Sequence, residues 1–327
     1  MIPRPEGPLI TFDPLRNPLP PIFPIPTWLN PYAHRGDVDI LAAALFTGYM
    51  PNVKAMIALH MMEVARKAGA LDGVHTLVEA SSGNTGLSLA NLAPYYGLKL
   101  VTVTERDLAP GKVEQLRLVG VEKNQNPEEE FDTIEAAAKL GEQPGWFNFN
   151  QYGNQWNVEA HKRYTGPHLW EGTDKKISVF SNGMGTAGTA LGVKAFFESI
   201  DANVYVLGVA CAEGNPVPGL RSYKKLEHVT LPWQSLHHLE ATRFEAYSLS
   251  LKLFRSGMMV GPSSGMALAG LLRFLKEHEA NDFEGLRNED GRVVAVFGCG
   301  DTIIPYMEKY SFVLNNSDLV PLKIEEP

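Results

Sequence analysis

Short apolar runs alternate with segments of helical periodicity along most of the chain. Runs rich in valine, leucine and isoleucine predict strands at residues 76–80, 99–104, 177–181, 204–209 and 293–297. Apolar residues at helical spacing predict helices at 54–67, 87–96, 111–118, 131–140, 190–198 and 265–276. Residues 38–46 fit either a strand or a buried helix. The alternation is typical of an α/β fold with parallel sheets covered by helices on both faces.

Composition narrows the class of protein. A chain of 327 residues suggests about two domains, and 44% hydrophobic with 20% charged residues is ordinary for a globular protein. The net charge of −8 argues against nucleic acid or an anionic membrane surface as a partner. Two cysteines, Cys211 and Cys299, cannot form a disulfide framework, so we expect a reducing compartment, the cytoplasm. No apolar run approaches about 18 residues, and no signal peptide is recognised.

Two small-residue loops each follow a predicted strand and open a predicted helix. Residues 81–86 read Ser-Ser-Gly-Asn-Thr-Gly, and residues 185–189 read Gly-Thr-Ala-Gly-Thr. Such loops present free backbone N–H groups at the positive end of a helix dipole. The first has the hydroxyl and amide groups to hold a carboxylate, and the second has the small residues to curl around a phosphate. Taken singly, each loop also fits a tight turn with a good N-cap.

Lys54 stands at the start of the first predicted helix. It follows Asn52, a good N-cap, so its ammonium group would lie at the positive end of the helix dipole, where a cation is disfavoured. Partial burial beside Val53 and Met56 would also favour the neutral amine, which suits Schiff-base formation. A solvated surface lysine is the alternative. Combined with the two loops, Lys54 predicts a pocket for an aldehyde cofactor that carries a phosphate, pyridoxal 5'-phosphate, and for a substrate carboxylate.

The strand at 293–297 ends in Gly-Cys-Gly-Asp at residues 298–301. Cys299 fits either a buried small hydrophobic residue or a thiol placed beside a ligand ring, and Asp301 competes with it for that place. Residues 183–188 superficially resemble a dinucleotide-binding turn, but no acidic residue ends the next strand, so a nicotinamide site is the poorer explanation. His237 and His238 have no third ligand at a recognisable spacing, so no metal site is predicted.

Four ordered motifs resemble the fold-type II pyridoxal phosphate enzymes, in particular the cysteine synthase and cystathionine β-synthase family. They are Glu-Ala-Ser-Ser-Gly-Asn-Thr-Gly at 79–86, Tyr-Thr-Gly-Pro-His at 164–168, the loop at 185–189, and Gly-Pro-Ser-Ser-Gly at 261–265. The resemblance implies a tryptophan synthase β-like fold of two three-layer α/β/α domains with the cofactor in the cleft between them. The large cofactor-binding domain would combine residues 1–57 and 158–327, and residues 58–157 would form a small, mobile domain that binds the substrate carboxylate.

The same resemblance assigns roles to individual residues. Lys54 would form the Schiff base and then remove the substrate α-proton, and Asn84 would bind the phenolic oxygen of the cofactor. The substrate carboxylate would be held by Ser81, Ser82, Thr85 and Gln151. The phosphate would be held by Gly185, Thr186, Ala187, Gly188 and Thr189. Cys299 falls where the family places a serine, threonine or cysteine against the pyridine nitrogen, with Asp301 as the alternative. The chain departs from the family around Lys54, where Asn52 replaces a serine and Met56 an arginine.

The implied activity is β-replacement on an activated L-serine, in which a leaving group is expelled and sulfide or another nucleophile adds at Cβ. Two alternatives stay open: a β-elimination lyase (serine/threonine dehydratase or cysteine desulfhydrase), and a catalytically weak binding or regulatory homologue. A small amino-acid substrate and a homodimer are expected.

Overall fold

The computed structural model describes residues 20–47, 50–81, 83–104, 110–125 and 133–314. Its strands are β1 (Ile22–Pro24), β2 (Val38–Ala43), β3 (Thr76–Ala80), β4 (Lys99–Thr104), β5 (Glu122–Gln125), β6 (Trp146–Asn148), β7 (Val179–Gly183), β8 (Tyr205–Cys211), β9 (His237–Ala241) and β10 (Val293–Gly298). Its helices are α1 (Lys54–Lys67), α2 (Asn84–Leu92), α3 (Pro110–Leu118), α4 (Thr133–Gly141), α5 (Gln155–Ala160), α6 (Gly166–Gly172), α7 (Gly188–Ser199), α8 (Tyr223–Leu226), α9 (Arg243–Arg255), α10 (Pro262–His278) and α11 (Ser311–Leu314). A π-helical turn, His161–Thr165, joins α5 to α6.

A six-stranded sheet has the order β1-β2-β10-β7-β8-β9. Its neighbours pair in parallel except β1, which pairs antiparallel with β2 at the edge. The central strand β10 is buried along its whole length, as expected for apolar strands covered on both faces. Helices α9 and α10 pack on one face, and α7 packs on the other through the cluster that contains Phe180 and Phe197.

A second sheet has the order β5-β4-β3-β6, with parallel pairing throughout. Helices α1 and α2 pack on one face with Leu77 and Leu100, and α4 packs on the other with Val78 and Val101. All four strands lie within residues 76–148. The predicted α/β architecture with parallel sheets is therefore confirmed.

Most predicted elements are present, with shifted ends. Helix α1 spans the predicted residues, and residues 38–46 resolve in favour of a strand, β2. Helix α2 begins at Asn84 and α7 at Gly188, three and two residues earlier than predicted, because the last residues of each loop already belong to the first helical turn. Strands β1, β5, β6 and β9 and helices α5, α6, α8, α9 and α11 were not predicted. Among them, α9 opens with a capping box in which Thr242 and Glu245 exchange hydrogen bonds.

The two sheets turn the carboxyl ends of their strands toward one cavity. Its wall includes Ser81 after β3, Gly183 at the end of β7, and Gly300 after β10. In open α/β sheets this edge is where ligands bind. Within the described part of the chain, no helix is long and apolar enough to cross a membrane.

Candidate active site

The cavity at the carboxyl ends of the strands has a volume of about 150 Å³. Segments from both sheets contribute to its wall. The lining residues are Val53, Lys54, Ser81, Gly83, Asn84, Thr85, Gln115, Gln151, Tyr152, Asn182, Gly183, Gly185, Thr186, Ala187, Gly188, Thr189, Pro218, Gly219, Leu220, Ser263, Gly298, Gly300, Asp301, Pro305 and Tyr306. The cavity thus brings together most of the residues that the sequence singled out.

Lys54 is the first residue of α1 and lies half-buried on the cavity wall. The side chain of Asn52 accepts the Lys54 backbone N–H at 2.9 Å, which is the capping contact that the sequence predicted. Ser88 in turn donates its hydroxyl to the same Asn52 oxygen at 3.0 Å. Burial lowers the pKa of the Lys54 amine to about 8, and the opposing charge of Asp301 limits the shift. The amine is therefore more readily neutral, and more nucleophilic, than that of a solvated lysine.

The loop at 81–86 is organised by hydrogen bonds from its own side chains. Ser81 Oγ accepts the backbone N–H groups of Gly83 at 3.3 Å and Gly86 at 3.0 Å. Thr85 Oγ1 donates to Gln151 Oε1 at 2.7 Å, and Gln151 Nε2 donates to the carbonyl of Ala80 at 3.2 Å. Three of the four residues predicted to hold the substrate carboxylate are thus neighbours on one wall, while Ser82 lies outside the described residues.

The loop at 185–189 forms a narrow cradle that opens α7. A Cβ atom added at Gly185 would overlap the carbonyl oxygen of Gly219, and one added at Gly188 would overlap the Asn157 side chain. Thr186 Oγ1 accepts the N–H of Gly188 at 3.3 Å and an amide hydrogen of Asn157 at 3.0 Å. The five loop residues line the cavity together at the N-terminus of a twelve-residue helix. Such a terminus favours an anion.

Ala187, in the middle of this loop, has a φ of 63°. A Cβ in the left-handed region costs about 1–2 kcal/mol relative to glycine, and strain of this kind concentrates at functional sites. The cradle therefore holds one residue in a conformation that its own side chain disfavours.

Replacing Ala187 by glycine should relieve this strain and raise the free energy of unfolding by about 1 kcal/mol. Denaturant unfolding of the cofactor-free protein measures the change. Ala190→Gly, inside α7 and fully buried, is the matched control and should lower stability by at least about 1 kcal/mol. Equal losses in both variants would contradict the assignment of strain to Ala187.

Cys299 and Asp301, the two candidates for contact with the pyridine nitrogen, lie in different environments after β10. Cys299 is fully buried in the core cluster with α9 and α10, and burial raises the pKa of its thiol to about 12. It is absent from the described residues that line the cavity, whereas Asp301 is among them. Asp301 Oδ2 accepts the Asn84 amide at 2.8 Å and also the Tyr306 hydroxyl. A carboxylate that contacts Asn84 therefore faces the cavity.

Sequence reasoning missed the residues that support this site from behind. Asn157 and His161 contact the threonine hydroxyls of the 185–189 loop, Tyr306 contacts Asp301, and Glu79 accepts the Gln151 N–H at 3.4 Å. One local signal existed: Asn157, His161 and Thr165 recur at the four-residue spacing of one helical face. The loop at residues 218–220 also lines the cavity, while the nearby Tyr223 hydroxyl donates to the Leu239 carbonyl.

These features fit a phosphorylated aldehyde. Gly185 and Gly188 let the loop pack closely against Gly219 and Asn157, and the cradle that results offers two threonine hydroxyls and a helix N-terminus. Lys54, with its lowered pKa, lies on the same cavity wall. The residues present can therefore hold both the aldehyde and the phosphate of pyridoxal 5'-phosphate, and the 81–86 loop lines the same cavity.

Comparison with known proteins points the same way. Residues 29–297 match the family model described as pyridoxal-phosphate dependent enzyme. Cysteine synthase B of Pseudomonas aeruginosa is 30% identical over 234 residues, which cover 70% of this chain and 78% of that protein. Cysteine synthase B of Escherichia coli is 31% identical over 253 residues, which cover 75% of this chain and 79% of that protein.

Solved structures share the fold at lower identity. Cysteine synthase from Entamoeba histolytica superposes with a TM-score of 0.76 at 19% identity, covering 97% of this chain and 93% of that one. A hydrogen sulfide-producing enzyme from Fusobacterium nucleatum superposes with a TM-score of 0.74 at 23% identity, covering 92% of this chain and all of that one. The family match, the relatives and the cavity together show that this chain belongs to the pyridoxal-phosphate dependent enzymes, among their cysteine synthase-like members, with pyridoxal 5'-phosphate as its cofactor.

Proposed function

We propose that this enzyme catalyses β-replacement on an activated L-serine, expelling a leaving group from Cβ and adding sulfide or another nucleophile there. The observation that carries the proposal is the meeting of Lys54, the 81–86 loop and the 185–189 loop on one cavity. The curated relatives at about 30% identity are cysteine synthases, which supports the same reaction class.

Each part of the cavity would have its own task. Bound pyridoxal 5'-phosphate withdraws electrons from the α-carbon of an amino acid attached to it. Lys54 Nζ would attach the cofactor and then take the α-proton, because its lowered pKa keeps a neutral amine accessible. Ser81, Ser82, Thr85 and Gln151 would fix the substrate carboxylate, and Gly185, Thr186, Ala187, Gly188 and Thr189 the cofactor phosphate.

Asn84 would donate its amide to the phenolic oxygen of the cofactor. Asp301, an acceptor-only carboxylate, fixes the orientation of that amide, because only the Asn84 nitrogen can face it. For the pyridine nitrogen, the buried Cys299 remains the position implied by the family, and Asp301 has the advantage of lying on the cavity wall.

A division into two domains would allow the enzyme to shield the reaction from water. The strands of the small sheet all fall within residues 58–157, and those of the large sheet fall in residues 1–57 and 158–327, as the proposed small and large domains require. Relative movement of the two would close the cavity over the substrate. We further propose a homodimer in the cytoplasm, consistent with the twofold symmetry common among oligomers and with the scarcity of cysteine.

Product analysis tests the reaction. The protein loaded with pyridoxal 5'-phosphate would receive acetylserine, phosphoserine or serine, each with and without sulfide, and cysteine and pyruvate would be measured separately. We expect cysteine to form from at least one activated serine in the presence of sulfide. The leaving group that works best would identify the substrate.

Two other outcomes would replace this proposal. Pyruvate and ammonia formed at a rate that sulfide does not alter would identify a β-elimination lyase. Full cofactor binding without either product, across the three serines, would identify a catalytically weak homologue. Lys54→Ala serves as the common blank, since any product formed by that variant does not come from this site.

A further inference from the structure

Helix α5 and the π-helical turn after it pack directly behind the 185–189 loop. Two glycines of α7, Gly188 and Gly192, face this segment, and a Cβ on either would overlap it: Gly188 with Asn157, and Gly192 with His161. The two glycines are four residues apart, and so are Asn157 and His161. Each pair therefore lies on one face of its helix, and the two faces pack against each other. The close approach lets Asn157 and His161 reach the two threonines of the loop.

His161 is fully buried and bridges two hydroxyls. Its Nδ1 lies 2.8 Å from Thr165 Oγ1, and its Nε2 lies 3.0 Å from Thr189 Oγ1. Burial holds the pKa of its imidazole well below the usual value, and the nearby Lys54 adds to the shift. The ring is therefore neutral, with one nitrogen that donates and one that accepts.

The two contacts fit either neutral tautomer of His161, and a bound phosphate would select one of them, because its oxygens accept hydrogen bonds. Thr186 Oγ1 already accepts hydrogen bonds from Asn157 and from the Gly188 N–H, so its own hydrogen is left to point elsewhere. With the Thr189 hydrogen likewise directed at the phosphate, the Thr189 oxygen accepts from His161 Nε2–H, and His161 Nδ1 accepts the Thr165 hydroxyl. Thr189, which lines the cavity, then has its hydrogen available for a ligand.

We propose that His161 is a positioning residue for the cofactor phosphate: by donating to Thr189 Oγ1, it makes that hydroxyl a donor toward a phosphate that only accepts. The inference rests on the proposed placement of the phosphate at residues 185–189. Asn157 performs the equivalent task for Thr186, so the α5 segment sets the donor direction of both hydroxyls in the cradle.

Two conservative variants separate positioning from packing. Glutamine at position 161 extends an amide to the place of Nε2 and keeps a donor for Thr189, whereas asparagine places its amide near Nδ1 and keeps only the Thr165 contact. The dissociation constants of pyridoxal 5'-phosphate and of pyridoxal, which lacks the phosphate, would be measured for wild type, His161→Gln, His161→Asn, Thr189→Val and the double variant His161→Asn/Thr189→Val.

We expect His161→Asn and Thr189→Val each to weaken pyridoxal 5'-phosphate binding about 10-fold or more, because Thr189→Val removes a hydrogen bond to a charged group and His161→Asn removes the donor that directs it. Pyridoxal affinity should stay unchanged, and His161→Gln should retain most of the preference for the phosphorylated form. The double variant should lose no more than the single variants, since His161 acts through Thr189. The phosphorus NMR shift of the bound cofactor should move in His161→Asn and stay near the wild-type value in His161→Gln.

The outcomes distinguish this inference from the proposed site. If wild type binds pyridoxal as tightly as pyridoxal 5'-phosphate, the placement of the phosphate is wrong. If Thr189→Val loses the phosphate preference but His161→Asn retains it, only the role of His161 is overturned. The role of His161 would also be rejected if His161→Asn and His161→Gln lost equal affinity for both ligands. The same conclusion would follow if the loss of affinity in the double variant equalled the product of the losses in the two single variants.

Discussion

Replacing Lys54 by methionine is expected to abolish turnover and, at the same time, to make the cofactor-free protein more stable at neutral pH. Turnover should fall by about 10³-fold or more, because the variant lacks the amine that we propose holds the cofactor and takes the α-proton. Methionine keeps the length and the apolar stem of the side chain. The loss therefore reports on the amine and not on packing.

The gain in stability follows from the pKa of the lysine. The folded protein lowers that pKa from 10.5 to about 8, so a buried ammonium group opposes folding wherever both states are protonated. The opposition is fully present below pH 8 and fades as the pH rises from about 8 to 10.5, where the unfolded chain also loses its proton. Its upper value is about 3 kcal/mol.

Denaturant unfolding of cofactor-free protein across this pH range measures the effect, since bound cofactor would add its own stabilisation. Lys99→Met, at an exposed position at the start of β4, is the matched control and should change stability little. Turnover retained by Lys54→Met would reject the central role of this residue. A methionine variant less stable than wild type at pH 7 would show that the amine is not under electrostatic strain.

Local sequence signals located the parts of this site, and tertiary contacts set their roles. The apolar spacing of α1 and the Asn52 cap lie within a few residues of Lys54, so both were predicted and both are present. The Asn84–Asp301 hydrogen bond joins residues 217 positions apart, and no local pattern encodes such a pairing. The same reason explains why Gly192 and His161, which meet across two helices, were not recognised.

The end of β10 at Gly298 explains the outcome for Cys299 and Asp301. Residues two positions apart on one strand share a face, but both of these residues follow the strand, so alternation does not set their directions. Cys299 enters the core beside α10, and the glycines on either side leave their backbone on the cavity wall. Asp301 comes after the strand, where an antiparallel bridge with Asn52 holds it near the start of α1. The sequence could name both candidates, but the direction of each side chain required the fold.

Glu79 is a second ionisable residue whose burial affects stability, and its effect on the free energy of unfolding changes with pH in the opposite direction to that of Lys54. It lies on β3 two residues before Ser81 and is fully buried. Burial raises the pKa of its carboxyl to about 8, although backbone N–H groups of Gln151, Ala80 and Asn150 favour the ionised form. The proton that Glu79 keeps is consistent with its place behind a loop that we propose binds a substrate carboxylate.

We expect Glu79→Gln to be markedly more stable than wild type at pH 8 and equally stable at pH 4. Below about pH 4.5 the carboxyl is protonated in both states, so it contributes no difference. As the pH rises from about 4.5 to 8 the unfolded chain ionises and the folded protein does not, so wild-type stability falls, by at most about 5 kcal/mol. Glutamine is neutral throughout, and its carbonyl oxygen can still accept the Gln151 N–H.

Unfolding free energies of the cofactor-free proteins from pH 4 to 8 give the test. Glu171→Gln is the control, because Glu171 is exposed and its ion pair with Lys175 contributes little. The curve for Glu79→Gln should diverge upward from wild type with rising pH, while that for Glu171→Gln should run parallel to it. Parallel curves for all three proteins would mean that Glu79 ionises normally in the folded state. In that case the ionised Glu79 would lie behind the 81–86 loop and would repel the substrate carboxylate proposed to bind there. A cation would be needed to offset this repulsion, and among the described lining residues only Lys54 supplies one.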